Sequence, residues 1–161
     1  MSYAIRWWRA SSLPMNANRP ELHLAVQYAV AGEEVPDRAQ VRRWARAAQE
    51  MPVTVTVRFV DTAEGRRLNR AFRGKDYATN VLSFVYEDEP VIGDLVICLP
   101  VVRREAKEQG KPFRAHLAHM VVHGMLHLQG YDHETNERDA LRMEARERAI
   151  LARFRIPDPY R

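Results

Sequence analysis

Three of the chain's six histidines, His123, His127 and His133, lie within one stretch of eleven residues. In an α-helix, residues four apart lie about 40° apart on neighbouring turns, so the imidazoles of His123 and His127 can reach one ion. Gly130 stands where a left-handed residue can end the helix, after which the chain can turn back and bring in His133. The spacing therefore predicts a metal site with three histidine ligands.

The ligand types indicate which metal this site would hold. Three neutral imidazole nitrogens suit Zn²⁺ and leave one tetrahedral position for water, which is typical of catalytic rather than structural zinc sites. We therefore expect one zinc ion per chain. The alternative is a helix that is merely rich in histidine, and we interpret His116 and His119 as packing residues or as supports for the ligands.

Gly124 occupies a position that is important in zinc proteases. In a His-Glu-x-x-His helix, a glutamate follows the first histidine and acts as general base, whereas this chain has Gly124 there. Zinc lowers the pKa of bound water towards neutrality, so hydrolysis does not require that carboxylate. The metal site is protease-like, but the base is missing.

The pattern His-Gly-x-Leu-His-Leu-x-Gly-Tyr-Asp-His over residues 123–133 resembles the signature of the YbeY family of bacterial endoribonucleases. The resemblance extends to residues 68–84 and 94–98, and it covers most of the chain from Val53 onward. One departure is Asn80, because many relatives carry Asp-x-x-Thr-Asp where this chain has Asp76, Thr79 and Asn80. An acid-base role for position 80 is therefore not expected here.

The resemblance implies a zinc-dependent endoribonuclease that acts on single-stranded RNA. It also implies a role in ribosomal RNA maturation, notably at the 3′ end of the small-subunit RNA, and in ribosome quality control. The expected partners are single-stranded ribosomal RNA and the ribosome or small-subunit assembly proteins. The expected catalytic residues are His123 and Arg58, since relatives have a functional arginine in the equivalent strand. The alternative for Arg58 is a solvent-facing strand residue.

Basic residues upstream of the histidines are candidates for binding the substrate. Phosphodiester hydrolysis needs positive charge against the phosphoryl oxygens, and we assign this role to Arg58, Arg70, Arg73 and Lys75. The formal net charge of +4 is compatible with a polyanionic partner but does not require one. Each basic group is also explained by a solvated helix face.

Two other classes of function remain open at this stage. The ligand spacing is compatible with a metallopeptidase, although Gly124 opposes it. A ribosome-assembly factor with a mainly structural metal is the second alternative, and the sequence does not separate it from a nuclease.

The composition indicates one soluble domain. A chain of 161 residues with 46% hydrophobic content is long enough for one packed domain, and we predict that residues 1–161 form it. No apolar run is long enough for a signal peptide or a membrane span. The single cysteine, Cys98, lies in an apolar run and fits a reducing compartment. We therefore expect a cytoplasmic protein without a membrane partner.

Hydrophobic periodicity predicts the elements that position the histidines. We expect strands at 21–30, 53–60, 81–86 and 91–99, and helices at 37–49, 62–72, 100–110, 112–129 and 134–154, after an irregular segment at 1–20. The short acidic turn at 87–89 indicates a hairpin. The fold class is therefore α+β, with a small mixed sheet of about four strands, one antiparallel edge strand and a zincin-like metal helix packed with other helices.

Overall fold

The computed structural model describes residues 19–161, so most of the segment predicted to be irregular lies outside the described residues. In chain order, the elements are β1 (Leu22–Ala29), α1 (Arg38–Ala48), β2 (Val53–Val60), α2 (Thr62–Arg73), β3 (Val81–Asp88), β4 (Val91–Cys98), α3 (Leu99–Glu108), α4 (Phe113–Leu128) and α5 (Glu137–Ala152). No helix in this part of the chain is long and apolar enough to cross a membrane.

The four strands form one mixed sheet in the order β1-β2-β4-β3. Strand β2 runs parallel to β1 and to β4, whereas β3 runs antiparallel to β4 at the edge of the sheet. The antiparallel pair is the expected hairpin, but its turn is formed by Glu89 and Pro90, because Glu87 and Asp88 belong to β3 and pair with β4. The predicted α+β class, with its single antiparallel edge strand, is therefore confirmed.

Strand β2 shows why the sheet has a core on one face. Val53, Val55, Val57 and Phe59 are almost completely buried and belong to the main hydrophobic cluster, while the residues between them are more exposed. Because successive side chains of a strand point to opposite faces, this alternation directs one face of β2 towards the helices α1 and α4. The other face carries a smaller cluster around Cys98, beneath α2.

Helix α4 is the central helix of the protein. Eleven of its 16 residues are buried, so it has no broad polar face and packs on nearly all sides. It contacts α1, α3, α5 and the strands β3 and β4. A helix held on so many sides presents its side chains from a fixed backbone, which is the property that a metal site needs.

Candidate metal centre

Helix α4 carries four histidines and lies close against the sheet. Gly124 is buried, and a Cβ atom added there would come within 2.7 Å of Cδ2 of Leu95 on β4. The position after His123 therefore lacks room for a side chain because the helix contacts the sheet at that point. This explains in steric terms why a glutamate of the protease type is absent from position 124.

The chain reverses direction just after α4, as the sequence predicted. Gly130 adopts a φ of +101°, and the Tyr131 amide donates to the carbonyl of Leu126. Asp132 then stabilises the following turn, because its carboxylate accepts hydrogen bonds from the amide of Glu134 and the hydroxyl of Thr135. Asp132 therefore contacts the turn and not a histidine ring.

This reversal brings His133 next to His123 and His127. The ring centroids are 6.4 Å apart for His123 and His127, 5.0 Å for His123 and His133, and 6.1 Å for His127 and His133. Imidazoles bound to one tetrahedral zinc ion would have centroids about 5 Å apart, given Zn–N distances of about 2.0–2.1 Å. The three rings thus need to move by only about 1 Å to share an ion of this size.

Hydrogen bonds fix the orientation of two of these rings. Nδ1 of His123 lies 2.6 Å from Oε1 of Glu147, and Nδ1 of His127 lies 2.8 Å from the backbone carbonyl of Tyr131. Since a carboxylate and a carbonyl oxygen only accept, each Nδ1 donates and each Nε2 keeps a free lone pair. Partners of this kind fix the tautomer of metal-binding histidines and raise their basicity.

Glu147 of α5 is a buried carboxylate with three partners. Its side chain is fully buried and accepts hydrogen bonds from His119, His123 and the hydroxyl of Tyr160. Burial alone would raise the pKa of Glu147, but the hydrogen bonds from the two histidines lower it to about 2. Burial and the neighbouring Glu147 raise the pKa of Tyr160. Glu147 therefore stays ionised and supports the ring of His123.

His119, His123 and Glu147 together form a group that could bind a metal ion, because one ligand atom from each lies within 4.8 Å of the others. In this structure, however, the carboxylate is only 2.8 Å from Nε2 of His119 and 2.6 Å from Nδ1 of His123. Those are hydrogen-bond distances, whereas two ligands of one tetrahedral zinc ion lie about 3.3 Å apart. We therefore place Glu147 behind His123 as its support.

His116 belongs to a separate cluster. Its Nε2 lies 2.9 Å from Oε1 of Glu105 on α3, and the Asn80 amide donates to both oxygens of the same carboxylate. Burial alone would raise the pKa of Glu105, but His116 and Asn80 outweigh it and lower the value. Asn80 thus acts as a hydrogen-bond donor, which an aspartate at this position could not do when ionised.

The three histidines face a cleft of about 500 Å³ beside the edge strand β3. Its other lining residues are Phe72, Arg73, Thr79, Asn80, Val81, Leu82, Ser83, Phe84 and Glu134. A second hollow of about 650 Å³ shares Asn80, His123 and His133 with the first and extends along α4 past His116 to Lys111. The histidines therefore lie between two adjoining depressions, which gives an extended substrate room on both sides.

The structure places Arg58 away from this cleft. Its neighbours Val57 and Phe59 are buried beneath α4, so the pleat of β2 directs Arg58 to the opposite face of the sheet. There it donates two hydrogen bonds to Glu64, at 2.7 and 3.0 Å, and one to Gln27 at 3.0 Å. Hydrogen bonding to Glu64 raises the pKa of Arg58. Arg58 is thus held by an ion pair and is separated from the histidines by the sheet.

Of the other predicted substrate contacts, only Arg73 lines the cleft. Arg70 and Lys75 are exposed nearby but do not line it. Asp76 forms a bidentate pair with Arg66 at 2.9 Å for both bonds and also lies outside the cleft.

Glu147 is the residue of this centre that the sequence analysis missed. It lies 24 residues after His123, in a helix with many charges, so no local motif marks it. One signal was available: Glu147 occupies the buried stripe formed by Met143, Ile150 and Leu151. A carboxylate in an apolar stripe needs a buried partner, and here the partners are histidines.

The fold and the cleft define an α+β protein in which a buried, histidine-bearing helix faces an antiparallel edge strand. A family model described as Endoribonuclease YbeY matches residues 31–155, and the chain belongs to that family.

Individual relatives agree with this assignment. An Endoribonuclease YbeY of Thiobacillus denitrificans is 60% identical over 144 residues, which cover 88% of this chain and 97% of that protein. The protein of the same name from Aromatoleum aromaticum is 57% identical over 143 residues, which cover 86% of this chain and 92% of its own. The solution structure of TM1509 from Thermotoga maritima superposes with a TM-score of 0.59 at 27% identity, covering 84% and 92% of the two chains.

Proposed function

We propose that this protein is a zinc-dependent endoribonuclease that cuts single-stranded RNA. The observation that carries the proposal is the convergence of His123, His127 and His133 beside the cleft along β3. Membership of a family described as Endoribonuclease YbeY supports the choice of RNA as substrate. The proposed substrate is ribosomal RNA during maturation, notably the 3′ end of the small-subunit RNA, with a further role in ribosome quality control in the cytoplasm.

The chemistry would be divided between the ion and the protein. A bound Zn²⁺ would supply a water of lowered pKa and positive charge against the phosphoryl oxygens. His123 and His127 would present Nε2 to the ion, since each Nδ1 is occupied by a fixed acceptor. Glu147 would hold the ring of His123 from behind. His133, from the loop, would complete the ligand set.

The lining of the cleft is suited to an RNA backbone. Arg73 brings a guanidinium to it, and Thr79 and Ser83 bring hydroxyls that can bond phosphate or ribose oxygens. We propose Arg73 as the phosphate contact nearest the ion, with Arg70 and Lys75 attracting the strand from the neighbouring surface. Family resemblance implies a further role for Arg58, which would contact RNA outside the cleft or act through its partner Glu64.

An exposed aromatic ring favours a single strand over a duplex. Phe72 lines the cleft with 66% of its surface exposed, and its ring meets that of Phe84 edge-on with centroids 5.2 Å apart. A base can stack on the open face of such a ring only when it is unpaired, and stacking of this kind contributes about 1–3 kcal/mol per base. The cleft therefore suits an unpaired segment.

The deciding experiment compares zinc-loaded protein with chelator-treated protein on a single-stranded fragment of small-subunit ribosomal RNA. We expect internal cuts with the zinc-loaded protein, none after chelation and recovery when zinc is returned. The same fragment annealed to its complement is the control for strand selectivity, and His127→Ala is the control for a contaminating nuclease. Fully loaded protein that binds ribosomal subunits but leaves all RNA intact would instead indicate an assembly factor with a structural metal.

The metallopeptidase alternative has less support. A glutamate at position 124 would be forced against Leu95 of the sheet. Among the described residues, the carboxylate nearest the ligands is Glu147, which is buried behind His123 and bonded to two histidines. That carboxylate supports a ligand and does not face a substrate, and the carboxylate that does line the cleft, Glu134, lies 3.8 Å from Nε2 of His133 on the exposed turn.

A further inference from the structure

A second basic surface lies on α1, on a different part of the molecule from the histidine cleft. A hollow of about 640 Å³ is lined by five arginines, namely Arg19, Arg42, Arg43, Arg46 and Arg153. Its remaining walls are largely apolar and include Ala39, Ala47 and Phe154. None of its residues lines the histidine cleft or the hollow adjoining it. We call this surface the α1 arginine hollow.

The five guanidinium groups have no carboxylate partner within residues 19–161. Arg46 donates to the carbonyl of Pro20 and to Gln49, and Arg43 donates to Gln40, but none of the ion pairs in this part of the chain includes one of the five. Elsewhere the protein does pair its arginines, as in Arg58 with Glu64 and Arg103 with Glu33. The eighteen residues before Arg19 contain no Asp or Glu either.

Five like charges around one hollow repel each other, and an anion bound there would relieve that repulsion. Burial, together with the charges of Arg42 and Arg19, lowers the pKa of Arg46. Arg42, Arg43 and Arg153 are exposed, so their guanidinium groups are accessible to a partner from solution. The chemistry that satisfies such a cluster is an anion with several charges, and the planar fork of arginine matches phosphate oxygens in particular.

We propose that the α1 arginine hollow is a second RNA-binding site that holds the phosphate backbone of the substrate at a distance from the cleft. The choice of RNA among polyanions rests on the proposed function. An RNA strand offers a phosphate at every nucleotide to the arginines, and its sugars and bases can contact the apolar walls near Phe154. The hollow would raise affinity for long RNA while the cleft performs the cleavage.

The test uses Arg42→Gln combined with Arg153→Gln, two exposed residues whose side chains make no hydrogen bond within residues 19–161. The matched control is Arg104→Gln combined with Lys107→Gln on α3, which removes the same charge from an exposed surface outside the hollow. Binding of the full chain to a labelled single-stranded RNA of thirty nucleotides is measured by fluorescence anisotropy at several salt concentrations. Chelator is present so that the RNA stays intact, and circular dichroism confirms that the three proteins are folded.

Each lost phosphate contact should reduce the slope of log affinity against log salt by about 0.7, which corresponds to about fivefold in affinity at 0.1 M salt. We therefore expect the hollow variant to bind about 25-fold more weakly than the unmodified protein and to show a slope smaller by about 1.4. The control pair should change both quantities much less. Equal losses in the two variants would show that only net charge matters and would overturn the proposal.

Two further outcomes are informative. Polyglutamate that displaces the RNA as well as an unlabelled RNA of equal charge would show that the hollow takes acidic protein, and it would overturn the choice of RNA. The proposed nuclease activity is tested separately, by cleavage of the same RNA with zinc present and chelator absent. Loss of binding in the hollow variant together with an absence of cleavage by every protein would refute the nuclease and leave the second RNA site standing.

Discussion

Oε1 of Glu147 lies 2.6 Å from Nδ1 of His123, although the two residues belong to different helices and are 24 positions apart in the chain. The same carboxylate binds His119 through its other oxygen. One buried charge thus joins α5 to two turns of α4, and it determines which nitrogen of His123 is available to an ion.

This contact predicts the effect of Glu147→Gln. The amide weakens the hydrogen bond to Nδ1 and removes the buried charge, so zinc affinity should fall about 10- to 100-fold, as is usual for partners of metal ligands. A chelator competition titration measures the change. Glu144→Gln, in the same helix and paired with Arg148 at the surface, should leave zinc affinity unchanged. Equal zinc affinities in the two variants would show that Glu147 does not support a metal ligand.

The ligand assignment predicts metal content directly. His123→Ala, His127→Ala and His133→Ala should each lower zinc well below one ion per chain, whereas exposed His23→Ala should not. Elemental analysis of the purified proteins provides the test. Because metal binding requires deprotonated ligands, zinc affinity should also fall on acidification. Full zinc content in all three variants would refute the site.

The role of Arg58 is tested by comparing it with its partner. We expect Arg58→Ala to cut RNA about fivefold more slowly at equal zinc content and non-saturating RNA, since one lost phosphate contact outside the cleft lowers affinity by about that factor at 0.1 M salt. Glu64→Ala removes the same ion pair but leaves the guanidinium in place. It should keep most of the activity. Similar losses of RNA cleavage in both variants would show that Arg58 acts only through its ion pair with Glu64.

The contact between Gly124 and Leu95 predicts that a protease motif cannot be rebuilt here. Gly124→Glu would force a carboxylate into a buried contact without a partner and should destabilise the protein by about 3–5 kcal/mol. Gly124→Ala should cost less, since the overpacking of about 1–3 kcal/mol is offset by about 1 kcal/mol of helix propensity. Urea unfolding measures both. We expect no zinc-dependent cleavage of unfolded peptides by the unmodified protein. Its detection would favour the metallopeptidase over the endoribonuclease.

The pKa of Glu105 predicts a pH dependence of stability. It is lowered in the folded protein from its ordinary value of 4.5, so the ionised group is favoured by folding. The contribution of Glu105 to the free energy of unfolding is therefore complete above about pH 4.5. It is lost as the pH falls through the lower pKa that Glu105 has in the folded protein. The difference in free energy of unfolding between the unmodified protein and Glu105→Gln should shrink below pH 4.5. A difference that does not change with pH would contradict this role of Glu105.

Elements with strong local signals were predictable from the sequence. Strand β2 runs from Val53 to Val60 as predicted, because its alternation is undisturbed and Asp61 then caps α2. In the structure, Asp37 caps α1 in the same way, and Gly74 ends α2 in a left-handed conformation. In each case the deciding contact lies within a few residues of the signal.

Predictions that depended on distant partners were less accurate. Asp61 and Glu64 have the spacing of a reciprocal capping box, but only Asp61 accepts a bond from the helix, since the Glu64 carboxylate is bound by Arg58. Helix α5 begins at Glu137, three residues after the predicted start, because Asn136 caps it and Asp132 holds the preceding turn. Glu147 could not be assigned to the centre without knowing that α5 packs on α4.

The unequal anchoring of the three histidines determines the order in which a metal ion would be exchanged. His123 and His127 belong to a buried helix and are already held by acceptors, whereas His133 lies on a turn with 42% of its side chain exposed. Local opening is easiest where few groups are buried. Release of the ion should therefore begin at His133, and the rate of exchange should depend on the stability of the turn held by Asp132 more than on that of the helix.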